Sequence, residues 1–204
     1  MLFRSVLHDE GPLLVIAGAG SGKTRTLTYR AARLVWGGVP PEAILLLTFT
    51  RKAAREMLRR AALLLDARCE QIAGGTFHSF ANTVLRRHGS RIGLSPAFTI
   101  IDRADMEQLL GLLAKETGAQ PRHGAFPRKR TLAEIFSKCA NKVWSLEETL
   151  DRDYPHFRPY LEALSDLRQA YTRQKQAQQL LDYDDLLLHL RDLLTGDPEA
   201  CARV

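Results

Sequence analysis

Short, continuous apolar runs mark the first hundred residues. Leu13–Ile16 is such a run and predicts a strand that is buried on both faces. Residues 44–49 (ILLLTF) predict a second buried strand, and residues 71–76 (QIAGGT) predict a weaker third one. Each run is followed by a segment with helical spacing. This alternation is typical of an α/β domain with a parallel sheet.

The segments between these runs carry helical patterns. Residues 23–35 place apolar side chains on one face, and GGVPP then ends the pattern. A second helix is predicted to run to about Leu65, with Thr50 as its N-cap. A third is predicted over residues 77–87, where Gly89 stops it.

The pattern changes after about residue 103. Apolar residues recur at helical spacing to about Leu181, and no further buried strand is predicted. Ser145 and Glu148 have the spacing of a capping box, and residues 119–130 form a basic loop with proline and glycine. A last helix is predicted over residues 182–194. The second half is therefore predicted to be an all-helical unit.

Charge and composition narrow the class of protein. The chain has 204 residues and a net charge of +6, and residues 1–102 hold 14 Lys and Arg against 7 Asp and Glu. Such a surplus fits a polyanionic partner or a plain solvated surface equally well. No apolar run reaches the ~18 residues of a membrane span, and no signal-peptide pattern occurs, so a cytosolic chain with no membrane partner is expected. The three cysteines have neither zinc nor redox spacing.

The sequence AGAGSGKT at residues 17–24 predicts a phosphate-binding loop. Glycines leave room for backbone N–H groups to approach phosphates, Lys23 supplies a cation, and the Thr24 hydroxyl is the expected Mg²⁺ ligand. A chance glycine turn is disfavoured because the loop lies between a predicted strand and a helix. Arg25 is either beside the nucleotide or a surface arginine. The expected nucleotide-binding residues are Ala17, Gly18, Ala19, Gly20, Ser21, Gly22, Lys23, Thr24 and Arg25.

Five segments in order resemble the UvrD/Rep/PcrA-type superfamily 1 DNA helicases. They are GPLLVIAGAGSGKTRTLTYR, LTFTRKAAREM, GTFHSFA, FTIIDRADMEQLL and LDYDDLL. The first three resemble family motifs I, Ia and Ib. The last two resemble the segments where the helical insertion, subdomain 1B, begins and returns. The resemblance extends over nearly the whole chain, and alanine is ordinary in the family at the position of Ala17.

The resemblance implies a fold, an activity and partners. The expected fold is α/β, with an incomplete P-loop (RecA-like) parallel sheet and an all-helical inserted subdomain. Residues 1–102 would be part of subdomain 1A, residues 103–181 subdomain 1B, and residues 182–204 a return helix. The implied activity is that of the N-terminal part of an ATP-dependent helicase that translocates on single strands. The implied cofactors are ATP and Mg²⁺, and the implied partner is single-stranded DNA or a single/double-strand junction.

The resemblance also implies which residues touch DNA. A single strand is bound by aromatic stacking and a basic track. The expected contacts are Phe49, Thr50, Arg51, Lys52, Thr76, Phe77, His78 and Ser79. Core packing is the favoured role for Phe80. Arg55 and Arg59 fit a solvated face as well as a phosphate contact. The family often has asparagine at the position of Arg51.

Some family features have no match in residues 1–204. The upstream glutamine that reads adenine is missing, and the acidic motif D-E-x-Q and the second motor domain would follow after Val204. Because phosphoryl transfer depends on such groups, we expect nucleotide binding with little hydrolysis and no unwinding by residues 1–204 alone. The alternative is a non-catalytic module that binds nucleotide or DNA and regulates a full-length helicase.

Two further interpretations are weaker. A small-molecule P-loop kinase is disfavoured because TFTRKAAREM and TFHSFA have no role in one. The acidic residues Asp182, Asp184 and Asp185 suggest a metal site, but helix capping with a favourable helix dipole is the favoured interpretation.

Overall fold

The computed structural model describes residues 2–8, 11–118 and 126–204. The chain divides into two compact units, residues 1–80 and 81–204, which are named unit 1 and unit 2. The division falls inside a helix and earlier than the predicted subdomain boundary at residue 102, which stays a prediction. Most of the basic loop predicted at residues 119–130 lies outside the described residues.

Unit 1 consists of helices and two short strands. Helix α1 is Leu2–Leu7, α2 is Lys23–Trp36, strand β1 is Leu45–Thr48, helix α3 is Arg51–Leu64, and strand β2 is Ala73–Thr76. Helix α4, Phe77–His88, begins in unit 1 and ends in unit 2. The predicted helices and the strands at 44–49 and 71–76 are therefore confirmed to within a few residues.

Strands β1 and β2 pair in parallel. Their register places Leu45 opposite Ala73 and Thr48 opposite Thr76. The side chain of Leu46 faces the unit 1 core, which it shares with helix residues such as Val35, Met57 and Ala61. The two strands therefore end side by side, and the residues that follow them emerge at the same edge.

The strand predicted at Leu13–Ile16 does not form, so this expectation was wrong. These residues have no regular secondary structure and pair with neither β1 nor β2. Leu14 is 84% exposed and Ile16 is 85% exposed. A strand is stable only when its backbone hydrogen bonds are made by a neighbouring strand. The apolar run is present, but no described segment supplies that neighbour.

Unit 2 is mainly helical. Strand β3 is Thr99–Ile100, α5 is Arg103–Glu116, α6 is Lys129–Lys142, α7 is Leu146–Asp153, α8 is Leu161–Gln178, strand β4 is Leu180–Leu181, α9 is Tyr183–Gly196, and α10 is Pro198–Arg203. Its core packs large side chains of α5, α6, α7 and α8, such as Leu110, Ile135, Leu150 and Leu164. No helix in the described ranges is long and apolar enough to span a membrane.

A two-residue parallel pairing joins the entry and exit of these core helices. Thr99 and Ile100 of β3 pair with Leu180 and Leu181 of β4. The sequence pattern missed β4, because two residues are too few to show a strand period. Helices α5 to α8 thus leave one point of the fold and return to it. That they form an inserted subdomain stays a prediction.

Side chains cap the ends of the unit 2 helices as their sequences predict. Ser145 and Glu148 form the expected capping box at the start of α7. Asp102 caps α5, and Asp105 completes a second box there. These caps satisfy backbone N–H groups that a helix leaves without intrahelical partners.

Candidate nucleotide and nucleic-acid site

The glycine-rich loop has backbone φ angles that residues other than glycine rarely adopt. Gly20 has a φ of 75° and Gly22 a φ of 84°, both in the left-handed region. This region costs an ordinary L-residue roughly 1–2 kcal/mol. Gly22 directly precedes α2, so the turn delivers the chain into the first turn of the helix at Lys23. The sequence therefore builds a loop that leads into a helix N-terminus, where N–H groups point outward.

The Lys23 ammonium folds back onto the loop. Its Nζ donates to the carbonyl oxygen of Ala17 at 2.8 Å and to that of Gly18 at 2.7 Å. The hydroxyl of Ser21 also donates to the Gly18 carbonyl, at 2.7 Å. Two loop carbonyls thus accept hydrogen bonds from the Lys23 ammonium, and the loop is exposed to solvent. An anionic ligand would compete with these carbonyls for the same ammonium.

Threonines fix the start of α2. Thr26 Oγ1 donates to the Gly22 carbonyl at 3.2 Å, and Thr28 Oγ1 donates to the Thr24 carbonyl at 2.8 Å. Thr26 and Thr28 are buried, whereas Thr24 is exposed. Only the exposed threonine in this turn can therefore offer its hydroxyl to an outside ligand.

Arg25 lies over a tyrosine of its own helix. Its guanidinium carbon is 5.4 Å from the centre of the Tyr29 ring, and its Nη2 donates to the Tyr29 hydroxyl at 3.3 Å. This hydrogen bond raises the pKa of Arg25 above its usual value. The position is that of an exposed surface arginine, and its role beside a nucleotide stays a prediction.

Arginines of α2 anchor α1, a feature that the sequence pattern did not reveal. Arg30 donates to the carbonyl of Ser5 at 2.8 Å and to that of His8, and Arg33 donates to the carbonyl of Val6 at 3.2 Å. These bonds satisfy carbonyls at the end of a short helix. The only available signal was the three-residue spacing of two arginines, which is too common to be diagnostic.

Two aromatic side chains meet at the edge where β1 and β2 end. Phe49 follows β1, Phe77 follows β2, and their ring centres are 6.0 Å apart with an angle of 45° between the rings. Phe49 is 90% exposed and Phe77 is 44% exposed. Burial normally stabilises such rings, so an exposed pair is a candidate contact surface. The sheet register brings together residues that lie 28 positions apart in the sequence.

Thr50 and the basic residues after it begin α3. The Thr50 hydroxyl accepts from the backbone N–H of Ala53 at 3.1 Å, which confirms the predicted N-cap. Arg51 and Lys52 are exposed in the first turn, as is Arg55 one turn later. Basic side chains there oppose the helix dipole. They are therefore unfavourably placed for the helix itself, which favours a role toward an external anion.

Arg59 differs from the arginines before it. It forms a local ion pair with Glu56, with Nη2 and Oε1 2.9 Å apart, and Arg60 shares the same carboxylate. Hydrogen bonds from both arginines lower the pKa of Glu56 to about 2. Arg59 thus has a carboxylate partner on its own helix, and its contact with a phosphate stays a prediction.

Thr76 and Ser79 lock the turn from β2 into α4. The Ser79 hydroxyl accepts from the Thr76 backbone N–H at 2.8 Å and donates to the Thr76 carbonyl at 2.9 Å. The Thr76 hydroxyl accepts in turn from the Ser79 backbone N–H at 3.1 Å. A Cβ on Gly75 would lie 2.6 Å from Ser79 Oγ, so a larger residue there would displace this hydroxyl from its hydrogen bonds. Sequence reasoning missed this close approach, although a glycine within a strand is its usual signal.

The lock holds Phe77 and His78 at the exposed end of β2. Phe80, for which core packing was favoured, is half-buried, as are His78 and Ser79. The hydroxyls of Thr76 and Ser79 already have partners inside the chain. Their direct contact with DNA stays a prediction, and their observed contacts support the turn.

The acidic residues at the start of α9 act as caps and ion-pair partners. Asp182 accepts from the Asp185 backbone N–H at 2.9 Å, and Lys175 Nζ lies 2.7 Å from Asp182 Oδ2 and 2.6 Å from Asp185 Oδ2. The Tyr171 hydroxyl donates to Asp182 at 2.9 Å. The favoured capping interpretation is confirmed. No group of three or more His, Cys, Asp or Glu residues in the described chain is placed to hold a metal ion.

The two carboxyls of this cluster differ in pKa. Burial acts to raise the pKa of Asp182, but the charge of Lys175 and several hydrogen bonds outweigh it and leave this pKa lowered. Burial raises the pKa of Asp185, and Lys175 does not offset it. The buried ammonium and the two carboxyls thus form one ion-paired cluster that links α8, β4 and α9.

Comparison of the sequence with known proteins shows which proteins this chain is similar to. Residues 3–204 match the family model described as the UvrD/REP helicase N-terminal domain. The chain is 38% identical over 203 residues to an ATP-dependent DNA helicase PcrA of Leuconostoc citreum, which covers 98% of this chain and 26% of that relative. It is 38% identical over 196 residues to the PcrA of Bacillus subtilis (strain 168) and 36% identical to that of Staphylococcus aureus (strain Mu50). The chain thus spans about a quarter of the length of these curated relatives.

Proposed function

The chain belongs to the UvrD/REP helicase N-terminal domain family, and on that premise we propose that it binds ATP with Mg²⁺ at residues 17–25 and single-stranded DNA at the ends of β1 and β2. It would serve as the nucleotide- and strand-binding part of an ATP-dependent DNA helicase. The similarity to ATP-dependent DNA helicases supports this activity, and the exposed Phe49–Phe77 pair is the observation that carries the DNA part.

The loop geometry supports nucleotide binding through an exchange of lysine partners. In the structure, the Lys23 ammonium is satisfied by the carbonyls of Ala17 and Gly18. Phosphate oxygens form shorter and stronger charge-assisted bonds than neutral carbonyls. A bound β- or γ-phosphate would therefore draw Lys23 away from the loop, and the left-handed turn at Gly22 would present helix N–H groups to the same phosphate.

The residues present fit a magnesium ion that arrives with the nucleotide. Mg²⁺ prefers hard oxygen ligands and keeps several waters, taking few ligands from the protein. The exposed Thr24 hydroxyl is one such ligand, and the described residues offer no cluster that would hold the metal without nucleotide. Bound Mg²⁺ would supply charge neutralisation between the phosphates. The protein's part is to place Thr24 at the first turn of α2.

The nucleotide site is tested by Lys23→Ala and calorimetry with Mg·ATP. Removing a charge-assisted bond costs about 1.5–3 kcal/mol, so we expect affinity to fall roughly 10- to 150-fold. Lys115→Ala is the matched control, because Lys115 is an exposed lysine in unit 2. Equal affinity of the Lys23→Ala and wild-type chains would contradict the nucleotide assignment.

The DNA site is tested by Phe49→Ala and fluorescence anisotropy with a labelled single strand. Base stacking on an aromatic ring contributes about 1–3 kcal/mol, which predicts a loss of affinity of roughly 5- to 150-fold. Leu63→Ala is the control, because Leu63 is also exposed, at 73%, but lies at the far end of α3. The aromatic pair is not the DNA site if both variants bind as the wild type does.

We further propose that residues 1–204 taken alone hydrolyse ATP slowly. The family's acidic motif D-E-x-Q matches no segment of this sequence, and phosphoryl transfer depends on such positioned groups. The measurement is phosphate release with and without single-stranded DNA, with Lys23→Ala as the blank. Release that DNA stimulates in the wild type, and that Lys23→Ala abolishes, would overturn this part of the proposal. Binding without turnover would also suit a regulatory module.

A further inference from the structure

A cavity opens between the start of α6 and the segment Pro155–Tyr160, which joins α7 to α8. This cavity is named the α6 cavity and has a volume of about 380 Å³. Aromatic rings form most of its lining, which consists of Phe126, Pro127, Arg128, Thr131, His156, Phe157 and Tyr160. All of these residues lie in unit 2, so the cavity belongs to that unit alone.

Aromatic rings give the α6 cavity firm apolar walls. The ring centres of Phe126 and Tyr160 are 5.6 Å apart with 82° between the rings, and those of His156 and Phe157 are 4.0 Å apart. Phe126, Phe157 and Tyr160 also pack against the unit 2 core and are half-buried. Because the core holds these rings in place, an apolar side chain that enters the cavity meets walls that need little further ordering.

The rim of the cavity is basic. Residues 126–133 contain three basic side chains and no acidic one, and no acidic side chain lines the cavity among the described residues. Arg128 is exposed and forms no ion pair within the described part of the chain, whereas Arg130 pairs with Glu134. The attraction of Arg128 for a negatively charged partner is therefore not offset by a neighbouring carboxylate.

We propose that the α6 cavity docks a short acidic peptide segment of a partner protein. An apolar side chain of that segment fills the cavity, and a carboxylate beside it pairs with Arg128. Protein interfaces share this composition, with an apolar, often aromatic, centre inside a polar rim. Most of their binding energy comes from a few anchor side chains in desolvated pockets. The docking site uses none of the residues proposed for nucleotide or DNA binding in unit 1.

A single-stranded nucleic acid fits the cavity less well. Bases stack on the open face of an aromatic ring, which Phe49 of unit 1 offers because it is 90% exposed. The apolar rings of the α6 cavity are half-buried, and Phe126 meets Tyr160 edge to face. Such rings enclose one side chain better than they support a row of stacked bases.

The test uses fluorescence anisotropy with the full chain and a panel of short labelled peptides. Each peptide has one central anchor between acidic residues, and the anchor is phenylalanine, tryptophan, leucine or proline. Matched peptides replace the anchor with serine, or the acidic residues with their amides. We expect an anchored acidic peptide to bind and its affinity to fall roughly tenfold with either replacement, because each removes an apolar or a charge-assisted contact. Binding of no anchored peptide, or equal binding of the matched peptides, would overturn the proposal.

A charge reversal at the rim locates the contact. Arg128→Glu should lower the affinity for the anchored acidic peptide by roughly tenfold or more. Arg130→Glu is the matched control, because it makes the same change of charge two residues away, in a side chain that is 80% exposed and outside the lining. Equal losses in the two variants would show a diffuse attraction and would contradict a site at the cavity.

His156→Ala tests the cavity wall itself. The His156 ring is exposed and lies against Phe157, so its removal should leave the fold intact, which far-UV circular dichroism checks. The affinity for the anchored peptide should fall severalfold, because the anchor loses one side of its pocket. Unchanged affinity would show that the peptide binds elsewhere, which would also overturn the docking site.

A labelled single strand of DNA in the same assay separates the two kinds of partner. If Arg128→Glu lowers the affinity for the strand and no peptide binds, the cavity contacts nucleic acid and the proposal is wrong. Phe49→Ala should leave peptide binding unchanged, because Phe49 belongs to the DNA site proposed in unit 1. If Phe49→Ala weakens DNA binding while the peptides fail to bind, the proposed function stands and the α6 cavity alone fails.

Discussion

The two units differ in how completely they bury their large apolar side chains. Unit 2 packs large side chains of four helices, such as Leu110, Leu132 and Leu164, so that they are almost fully buried. The core of unit 1 contains several small residues, such as Ala31 and Ala61. Most of the exposed large apolar side chains lie in residues 7–77. The helical unit therefore covers its own apolar surface, whereas the unit with the candidate sites leaves much of it open.

The difference follows from the range of the contacts that each unit needs. Helices make their hydrogen bonds within one segment, so capping and spacing suffice to place them before they pack. A parallel sheet gains stability only when distant strands meet. Among the described residues of unit 1, that pairing is limited to β1 and β2, and the apolar run at residues 13–16 pairs with neither. We therefore expect local opening to cost less in unit 1 than in unit 2.

The largest effect is expected for Lys175→Met in unit 2. Lys175 is 8% exposed and pairs with the buried carboxyl of Asp182 and the half-buried carboxyl of Asp185, and removing one partner of a buried ion pair costs about 3–5 kcal/mol. The measurement is urea unfolding followed by tryptophan fluorescence. In a Trp36→Phe background, Trp144 is the only tryptophan, and it reports on unit 2.

Lys115→Met is the matched control, because Lys115 is exposed and should change the free energy of unfolding little. If Lys175→Met is no more destabilising than this control, the cluster carries little of the stability of unit 2. The comparison between the units would then rest on apolar packing alone.

A second pair of variants tests apolar packing in the two units directly. Leu110 is 0% exposed in unit 2, and Leu110→Ala should cost about 2–5 kcal/mol. Leu14 is 84% exposed in unit 1, and Leu14→Ala should change stability by less than about 0.5 kcal/mol. Both values come from urea unfolding with far-UV circular dichroism. Equal losses would show that the run at residues 13–16 is packed in solution and would remove the contrast.

The same contrast explains what the sequence could and could not predict. Helices α2 and α3, the N-cap of α3 and the capping box of α7 follow from local spacing and short-range hydrogen bonds, and their positions were predicted correctly. The Phe49–Phe77 pair depends on the register of β1 and β2, which no local pattern encodes. The exposure of Leu13–Ile16 likewise depends on the absence of a partner among the described strands, so the apolar pattern alone predicted the wrong state.

The third expectation concerns pH and the two carboxyls of the Lys175 cluster. The pKa of Asp182 is lowered in the folded chain, so its ionised carboxyl stabilises the fold. This contribution to stability is present above the unfolded pKa of about 3.9 and is lost as pH falls through the folded pKa. The pKa of Asp185 is raised, so its effect has the opposite sign and stability is lost as pH rises through its folded pKa.

The variants Asp182→Asn and Asp185→Asn separate these effects. We expect Asp182→Asn to cost about 1–3 kcal/mol at pH 7, because Tyr171 and Lys175 lose a charged acceptor, and to cost less near pH 3. The free energy of unfolding of Asp185→Asn, relative to that of the wild type, should increase as pH rises from 3 to 7. The measurement is urea unfolding in the Trp36→Phe background. Parallel pH profiles for the two variants would contradict the opposed pKa shifts.

The smallest effects are expected at the helix caps, where the two units should behave alike. Thr50→Ala removes the acceptor of the Ala53 N–H in unit 1, and Ser145→Ala removes that of the Glu148 N–H in unit 2. Each loss should cost about 1 kcal/mol, because a cap is a local contact that needs no distant strand. Hydrogen exchange of those two amides measures each loss at its own site, and Thr50→Ser should keep most of the protection. If Thr50→Ala had no effect while Ser145→Ala cost its full amount, the start of α3 would already be open, and the weakness of unit 1 would extend from long-range strand pairing to local structure.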